Sequence, residues 1–206
     1  MSVFDAPAPA GGLLPLVPDI SGEDDPPRPV PMTAGQACCG CSTHAQRLWQ
    51  GPHALPVCTL CWLTGHLDSP TALHGHLAWL PDAPAADLIN LQRRALIALR
   101  SGDRATRRDG RRVWNWLSRH AREVVNMWGT ARASEFARAM QRLSPASRKA
   151  MQHRLEGCVL ILPPDVFDDL TLLLPEGRTA ENAVQTPCWQ TYTRSDLYAK
   201  PPHPLD

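Results

Sequence analysis

"CCGCSTHAQRLWQGPHALPVCTLC", residues 38–61, holds five of the chain's seven cysteines. Cys38 and Cys41, then Cys58 and Cys61, form a C-x2-C pair, a gap of sixteen residues and a second C-x2-C pair. That spacing belongs to four-thiolate zinc sites. Each pair presents two sulfurs from one knuckle, and two knuckles brought together make a tetrahedron whose every corner is protein. Such a shell leaves no position for water or substrate, so the ion fastens the chain and activates nothing. The pattern therefore points to Zn2+ on Cys38, Cys41, Cys58 and Cys61, with no catalytic and no further cofactor-binding residue. Iron–sulfur ligation and redox cysteines are the alternatives. Gly40 suits a tight turn in the first knuckle, and Cys39, between two ligands, reads as a spare thiol pointing away.

His44, His53, His66, His74 and His76 surround this module. A histidine beside a metal knuckle could be the general base of a metal-dependent nuclease. No nucleophile or paired carboxylate stands at a readable spacing from any of them, so the reading favours polar residues of turns. His74 and His76 alternate around Gly75, which places them on one face at the start of a strand that they cap or flank.

Moving toward the C-terminus, HLAWLPD reads as a short apolar strand stopped by Pro81. Asp82 as cap and Pro84 in the first turn then open a helix carrying Leu88, Leu91, Ala95, Ile97 and Leu99 until Gly102. After the connection SGDRATRRDG, the segment from Arg111 to Trp128 predicts one helix with Val113, Trp116, Leu117, Val124 and Trp128 near one face, ended by Gly129. Thr130 caps a further helix with Phe136, Met140 and Leu143. Ser144 and Pro145 start another, running to Gly157. CVLIL at 158–162 is a strand, and PPDVFDDLTLLLPEG offers a final short helix. "LPDAPAADLINL" at 80–91 echoes "LPPDVFDDLTLL" at 162–173, which two independent strand-to-helix turns under the same local rules explain.

Residues 1–33 carry Ala, Pro, Gly and acids without a periodic apolar face and predict a disordered arm. Residues 34–176 make a zinc-stabilised domain, and 177–206 an extended tail. With 206 residues and 43% apolar composition the chain suits one domain with extended ends. No apolar run approaches the ~18–20 residues of a membrane span, and the N-terminus lacks the basic start of a secretory signal. The expected place is the cytoplasm, where clustered cysteines hold metal rather than pair as disulfides.

The formal net charge of +1 hides an asymmetry. Residues 93–154 hold sixteen Arg or Lys against four Asp or Glu, while 155–206 hold three against eight. Nearly all these cations are arginine, which forms bidentate pairs with carboxylates and phosphates. The partner class is thus an acidic protein segment or nucleic acid, unless the block is only a solvated helix face.

The run "VCTLCWLTGHLDSPTALHGHLAWLPDAPAADLINLQRRALIAL" resembles the central part of the DotN (IcmJ) family of type IVB secretion systems. The shared features are Cys58 and Cys61, the strand ending in Leu-Pro-acid over Leu77 to Asp82, and the helix from Asp87 to Leu99. A looser similarity extends the match to roughly residues 36–145. The resemblance implies an α+β, predominantly helical fold, in which a small zinc-knuckle module of HNH or treble-clef type has short strands packed against helices. It implies no nuclease activity, and a role as adaptor in the type IV coupling complex. There the family binds the C-terminal extension of the coupling ATPase (DotL-like) with other coupling-complex subunits, peripheral to the inner membrane through those partners. The competing reading is a DNA-binding or nicking finger that uses the basic block on phosphates.

Overall fold

The computed structural model describes residues 13–22 and 25–185. Its strands are short because the sequence interrupts each apolar run with proline or glycine. β1 (Pro31–Met32), β2 (Leu48–Gln50) and β3 (Pro56–Cys58) form an antiparallel sheet in that order, with Pro31 opposite Trp49 and Trp49 opposite Val57. The β2–β3 hairpin turns through Pro52–Ala54, where His53 and Ala54 take positive φ. β3 runs directly into α1 (Thr59–Thr64), all six of whose residues are buried.

The second sheet pairs β4 (His76–Trp79) with β5 (Cys158–Ile161), antiparallel, Leu77 facing Leu160. Every residue of β5 is buried, as a continuous apolar run requires when both faces are covered. The open edge of β5 is closed by a side chain. Gln92 donates from Nε2 to the Leu160 carbonyl at 2.9 Å and accepts at Oε1 from the Leu162 N–H at 2.7 Å. Its amide takes the place of a neighbouring strand, and Trp114 Nε1 donates to the Leu162 carbonyl at 2.8 Å. Gln92→Leu leaves two buried backbone groups without partners and is expected to lower stability by about 2–4 kcal/mol. Denaturant melts check this, and a loss under ~0.5 kcal/mol would mean that water reaches the edge.

Helices cover the rest of this layer: α2 (Ala85–Ser101), α3 (Arg104–Arg119), α4 (Ala121–Trp128), α5 (Ala133–Gln141), α6 (Pro145–Arg154) and α7 (Ala180–Val184). α2 is the central one, burying Leu88, Ile89, Gln92, Arg93, Ala95, Leu96, Ile97 and Ala98. Its alanines let α3 approach closely. A Cβ at Gly110 of α3 would stand 2.8 Å from the Ala98 Cβ and 3.1 Å from the Ala95 carbonyl oxygen.

The chain is α+β with small antiparallel sheets, and the β4 and β5 strands and the α2 and α6 helices lie where the sequence places them; Ser144 caps α6, accepting from the Ser147 N–H, and α6 ends at Arg154, short of the expected Gly157. Several details differ. α2 starts at Ala85 with Pro84 as its N-cap and no side-chain cap from Asp82. The SGDRATRRDG connection is helical from Arg104, because Asp103 accepts from the Thr106 N–H at 2.7 Å and nucleates α3 early. The single helix expected to Trp128 breaks at His120, whose carbonyl accepts from Trp79 N–H of β4 at 3.1 Å. Thr130 does not cap α5, which begins at Ala133 after Arg132. The helix expected after Pro163 is two 3-10 turns, Pro164–Val166 and Leu170–Leu172, since Asp169 ties the Thr171 N–H locally and Phe167 is drawn into the core at 1% exposure. The echoed segments therefore share a strand and a proline, then diverge.

Both ends expected to be extended or disordered carry structure. Residues 13–21 are a strap: Leu14 N–H donates to the Cys39 carbonyl, Asp19 N–H to the Thr64 carbonyl, and Leu67 N–H to the Asp19 carbonyl. Ser21 bonds Asp68 through its N–H and hydroxyl, and Ile20 is 4% exposed. An extended strap needs no helical or strand period in its sequence, since its hydrogen bonds come from other segments. In the tail, Thr179 accepts from the Asn182 N–H and starts α7, which packs on α2 and buries Ala183 and Val184. The remaining residues of arm and tail, 1–12, 23–24 and 186–206, lie outside the described ones. No helix among the described residues is long and apolar enough to cross a membrane.

Candidate metal centre

Cys38 and Cys41 sit on a turn closed by the Cys38 N–H donating to the Thr43 carbonyl and the Ser42 N–H to the Cys38 carbonyl. Ser42 reverses the chain with φ of 60°. Gly40 is needed for space, since a Cβ there would lie 2.9 Å from Cys61 Sγ and 2.8 Å from the Leu16 side chain of the strap. Cys58 ends β3 and is the N-cap of α1; Cys61 lies in that helix's first turn. A hairpin and a helix thus deliver the second pair against the first.

The four sulfurs all lie within 4.8 Å of one another, with Cys41 and Cys58 at 3.6 Å. Zn–S bonds of about 2.3 Å at tetrahedral angles put sulfurs about 3.8 Å apart, so the donor set fits one ion. It fits a disulfide poorly, because bonded sulfurs are about 2.0 Å apart, and all four thiols are free. Ligands on separate irons of a multinuclear cluster also stand farther apart than ligands sharing one ion. The set is sealed, the four residues being 1%, 2%, 1% and 5% exposed in chain order. Gly40 and Cys58 N–H groups both point at Cys38 Sγ, at 3.4 and 3.2 Å.

Protons are shared unevenly among thiols packed this closely. Hydrogen bonds from Cys38, Cys58 and Cys61 hold Cys41 well below the usual thiol range, while the same neighbourhood and burial push Cys61 well above it. A metal cation replaces those protons and lets all four ionise together.

One positive group is already built in. Arg93, 3% exposed on α2, donates from Nη2 to Cys58 Sγ at 2.9 Å and to Cys41 Sγ at 3.3 Å. Nη1 donates to Thr43 Oγ1 at 2.8 Å and to Asn90 Oδ1. Asn90 in turn donates to the Cys41 carbonyl and accepts from the Thr43 hydroxyl. Four thiolates around a dication carry a net charge of −2, and a buried charge requires a partner. With such an ion bound, Arg93 would offset half of that charge, in an outer layer of the kind that tunes metal sites.

Arg93, Asn90 and Thr43 belong to no motif, and by composition Arg93 counts only toward the basic block. The signal was its position: four residues from both Ile89 and Ile97, it stands on the apolar face of α2. Cys39 is half-buried, with its thiol pushed up by burial and by Cys38. Cys158, remote in β5, is pushed up to about 11 by burial.

The histidines are scattered. His44, His53 and His74 are exposed, and His66 stacks on Trp62 at 3.9 Å with its Nδ1 2.6 Å from the Trp62 carbonyl oxygen. His74 closes the 3-10 turn Ala72–His74 before β4, while His76 lies within the strand edge-on to Trp114. Gly75 between them is extended and packs closely on Leu160 and the Ile161 carbonyl, so His74 flanks the strand, exposed, while His76 is half-buried within it. Burial lowers the His76 pKa, and its Nε2 is buried without a hydrogen-bond partner. Among the described residues the four cysteines are the one group of three or more metal-binding side chains.

The fold and this site define a small α+β protein organised around a buried four-cysteine cluster whose geometry fits one metal ion. Comparison with known protein families finds none that matches the chain, and comparison with curated proteins finds no match either.

Proposed function

We propose that the chain is a non-catalytic adaptor whose four cysteines hold one Zn2+ as a closed structural site. The observation that carries this reading is the sealed sulfur set with Arg93 bonded to two of its members. A hydrolytic metal site needs an open position, a bound water and a general base. Here all four positions are cysteine sulfurs, and the groups that hydrogen-bond to them from outside the set are Arg93 and the Gly40 and Cys58 N–H, none of them a histidine or a carboxylate. The order knuckle, hairpin, helix, with the second ligand pair at the helix start, supports a treble-clef type of module related to HNH fingers.

The similarity to the DotN family then suggests the setting: the cytoplasmic face of an inner membrane, in a coupling complex, bound to the C-terminal region of the coupling ATPase. The second reading, DNA binding, is favoured by one observation. Arg104, Arg107, Arg108, Arg111, Arg112 and Arg119 of α3 are all exposed, and such a row suits phosphates.

Affinity purification of the full chain from its own host, with mass spectrometry, tests the adaptor reading: the coupling ATPase is the expected prey. Purified protein given plasmid and single-stranded DNA with magnesium or manganese is expected to leave both uncut. Cleavage abolished by His44→Ala or His74→Ala in folded protein would favour the nicking finger instead.

A further inference from the structure

A groove of about 490 Å³ opens between the end of α4 and helices α5 and α6, floored by Trp128, Phe136, Ala139, Leu143, Ala150 and Met151. It is preformed. Trp128 meets the buried Phe136 edge-on at 5.6 Å, and the Arg154 guanidinium lies 4.4 Å from the Trp128 ring centre. Two aromatic rings and a stacked cation hold one wall in place without any partner. The size falls within the ~300–1,000 Å³ of preformed binding sites. Of its polar side chains, Glu135, Ser147 and Arg154 are exposed and Thr130 is half-buried, and none is buried beneath the apolar floor. A small ligand held for its polar groups would need such a buried contact; an apolar side chain on a peptide would not.

Charge identifies the peptide. Residues 130–154 present Arg132, Arg138, Arg142, Lys149 and Arg154, all exposed and in no ion pair among the described residues. Arg148 is engaged with Asp19, and the only acid of the segment is Glu135. An apolar trough between two helices, flanked by unpaired cations, complements a helix with apolar residues three and four apart and carboxylates beside them. We propose that this groove docks an acidic amphipathic helix of a partner protein. Its apolar side chains rest on Phe136, Leu143 and Met151, and its carboxylates meet Arg154, Arg142 and Arg138. Glu135, at the start of α5, disfavours acids at that end and so sets the direction in which the helix lies. The inference rests on the adaptor reading and names the surface that serves it.

The probe is a synthetic helix of about sixteen residues with leucines at helical spacing and glutamates elsewhere. Controls are the same composition scrambled, lysine in place of glutamate, and duplex DNA. Full-length protein is expected to bind the acidic amphipathic probe and neither control peptide, with DNA failing to compete. Ala139→Glu and Arg142→Glu, at exposed positions outside the Trp128–Phe136–Arg154 contact, are each expected to weaken binding at least ~10-fold, the scale of an interface anchor, with metal content and helicity unchanged. Arg111→Glu on α3 is expected to leave binding unchanged.

Equal affinity for the scrambled or lysine peptide, competition by DNA, or insensitivity to both groove substitutions would overturn the proposal. So would self-association abolished by Ala139→Glu in a protein that ignores the probe, since the groove would then hold a second copy. Host purification separates the two readings. If wild type and Ala139→Glu recover the coupling ATPase equally, the groove falls and the adaptor stands. If wild type recovers none while probe binding depends on the groove, the adaptor falls and the groove stands.

Discussion

Replacing Cys38 or Cys61 by serine is expected to abolish both metal binding and cooperative unfolding. Structural zinc contributes about 10–16 kcal/mol of apparent binding free energy in small zinc domains, whereas a whole domain is stable by only about 5–15 kcal/mol. A lost ligand therefore removes an amount comparable to total stability. The architecture concentrates the damage: the hairpin, α1 and the strap over residues 13–21 all meet at the sulfurs, and Leu16 and Cys61 converge on Gly40. Without the ion the four packed thiols cannot all ionise, so the cluster keeps part of its protons and Arg93 faces fewer negative sulfurs. Cys39→Ser, by contrast, is expected to melt like the parent with full metal content, because Cys39 is half-buried and its backbone carbonyl, rather than its sulfur, holds Leu14. Thermal melts with elemental analysis decide it. Serine variants that unfold cooperatively at the parent temperature would show that the core folds without its fastener.

Arg93→Met is expected to have the next largest effect. The methionine fills much of the volume but leaves two thiolates, Thr43 Oγ1 and Asn90 Oδ1 without their shared donor. Breaking a buried charge pair from one side costs about 3–5 kcal/mol, and loss of an outer-layer contact lowers metal affinity about 10–100-fold. Arg93→Lys is expected to recover little, since an ammonium cannot bridge sulfur and oxygen acceptors in the planar fork that guanidinium provides. Chelator competition reads the affinity, and the rate of thiol alkylation reads the exposed reactivity of the sulfurs. A methionine variant that holds its metal as tightly and alkylates as slowly as the parent would reduce Arg93 to a packing residue.

The sequence was most legible where one local rule decides the outcome. Two C-x2-C pairs announce a metal cluster because few other arrangements use that spacing, and the four sulfurs do converge. Strands bounded by proline and a Ser-Pro helix start follow from backbone geometry alone, and β4, β5 and α6 lie as expected. What escaped was set by tertiary partners. Nothing local to His120 breaks a helix; the break comes from a strand N–H that takes its carbonyl. The strap over residues 13–21 has no period because its hydrogen bonds go to Cys39, Thr64 and Asp68. Gln92 and Arg93, polar residues on the buried face of α2, were the clearest unread signals. A buried polar group is there to satisfy something, and these two satisfy a sheet edge and a sulfur cluster.

As proposed, this centre fastens and does not react. Its most direct test is the metal content of the purified chain followed by cobalt substitution, because Co2+ reports coordination by its visible spectrum. One zinc per chain is predicted, with a tetrahedral all-thiolate cobalt spectrum that azide, imidazole and DNA all leave unchanged. Iron in the native protein, or a cobalt spectrum that shifts when an added ligand enters the shell, would contradict it.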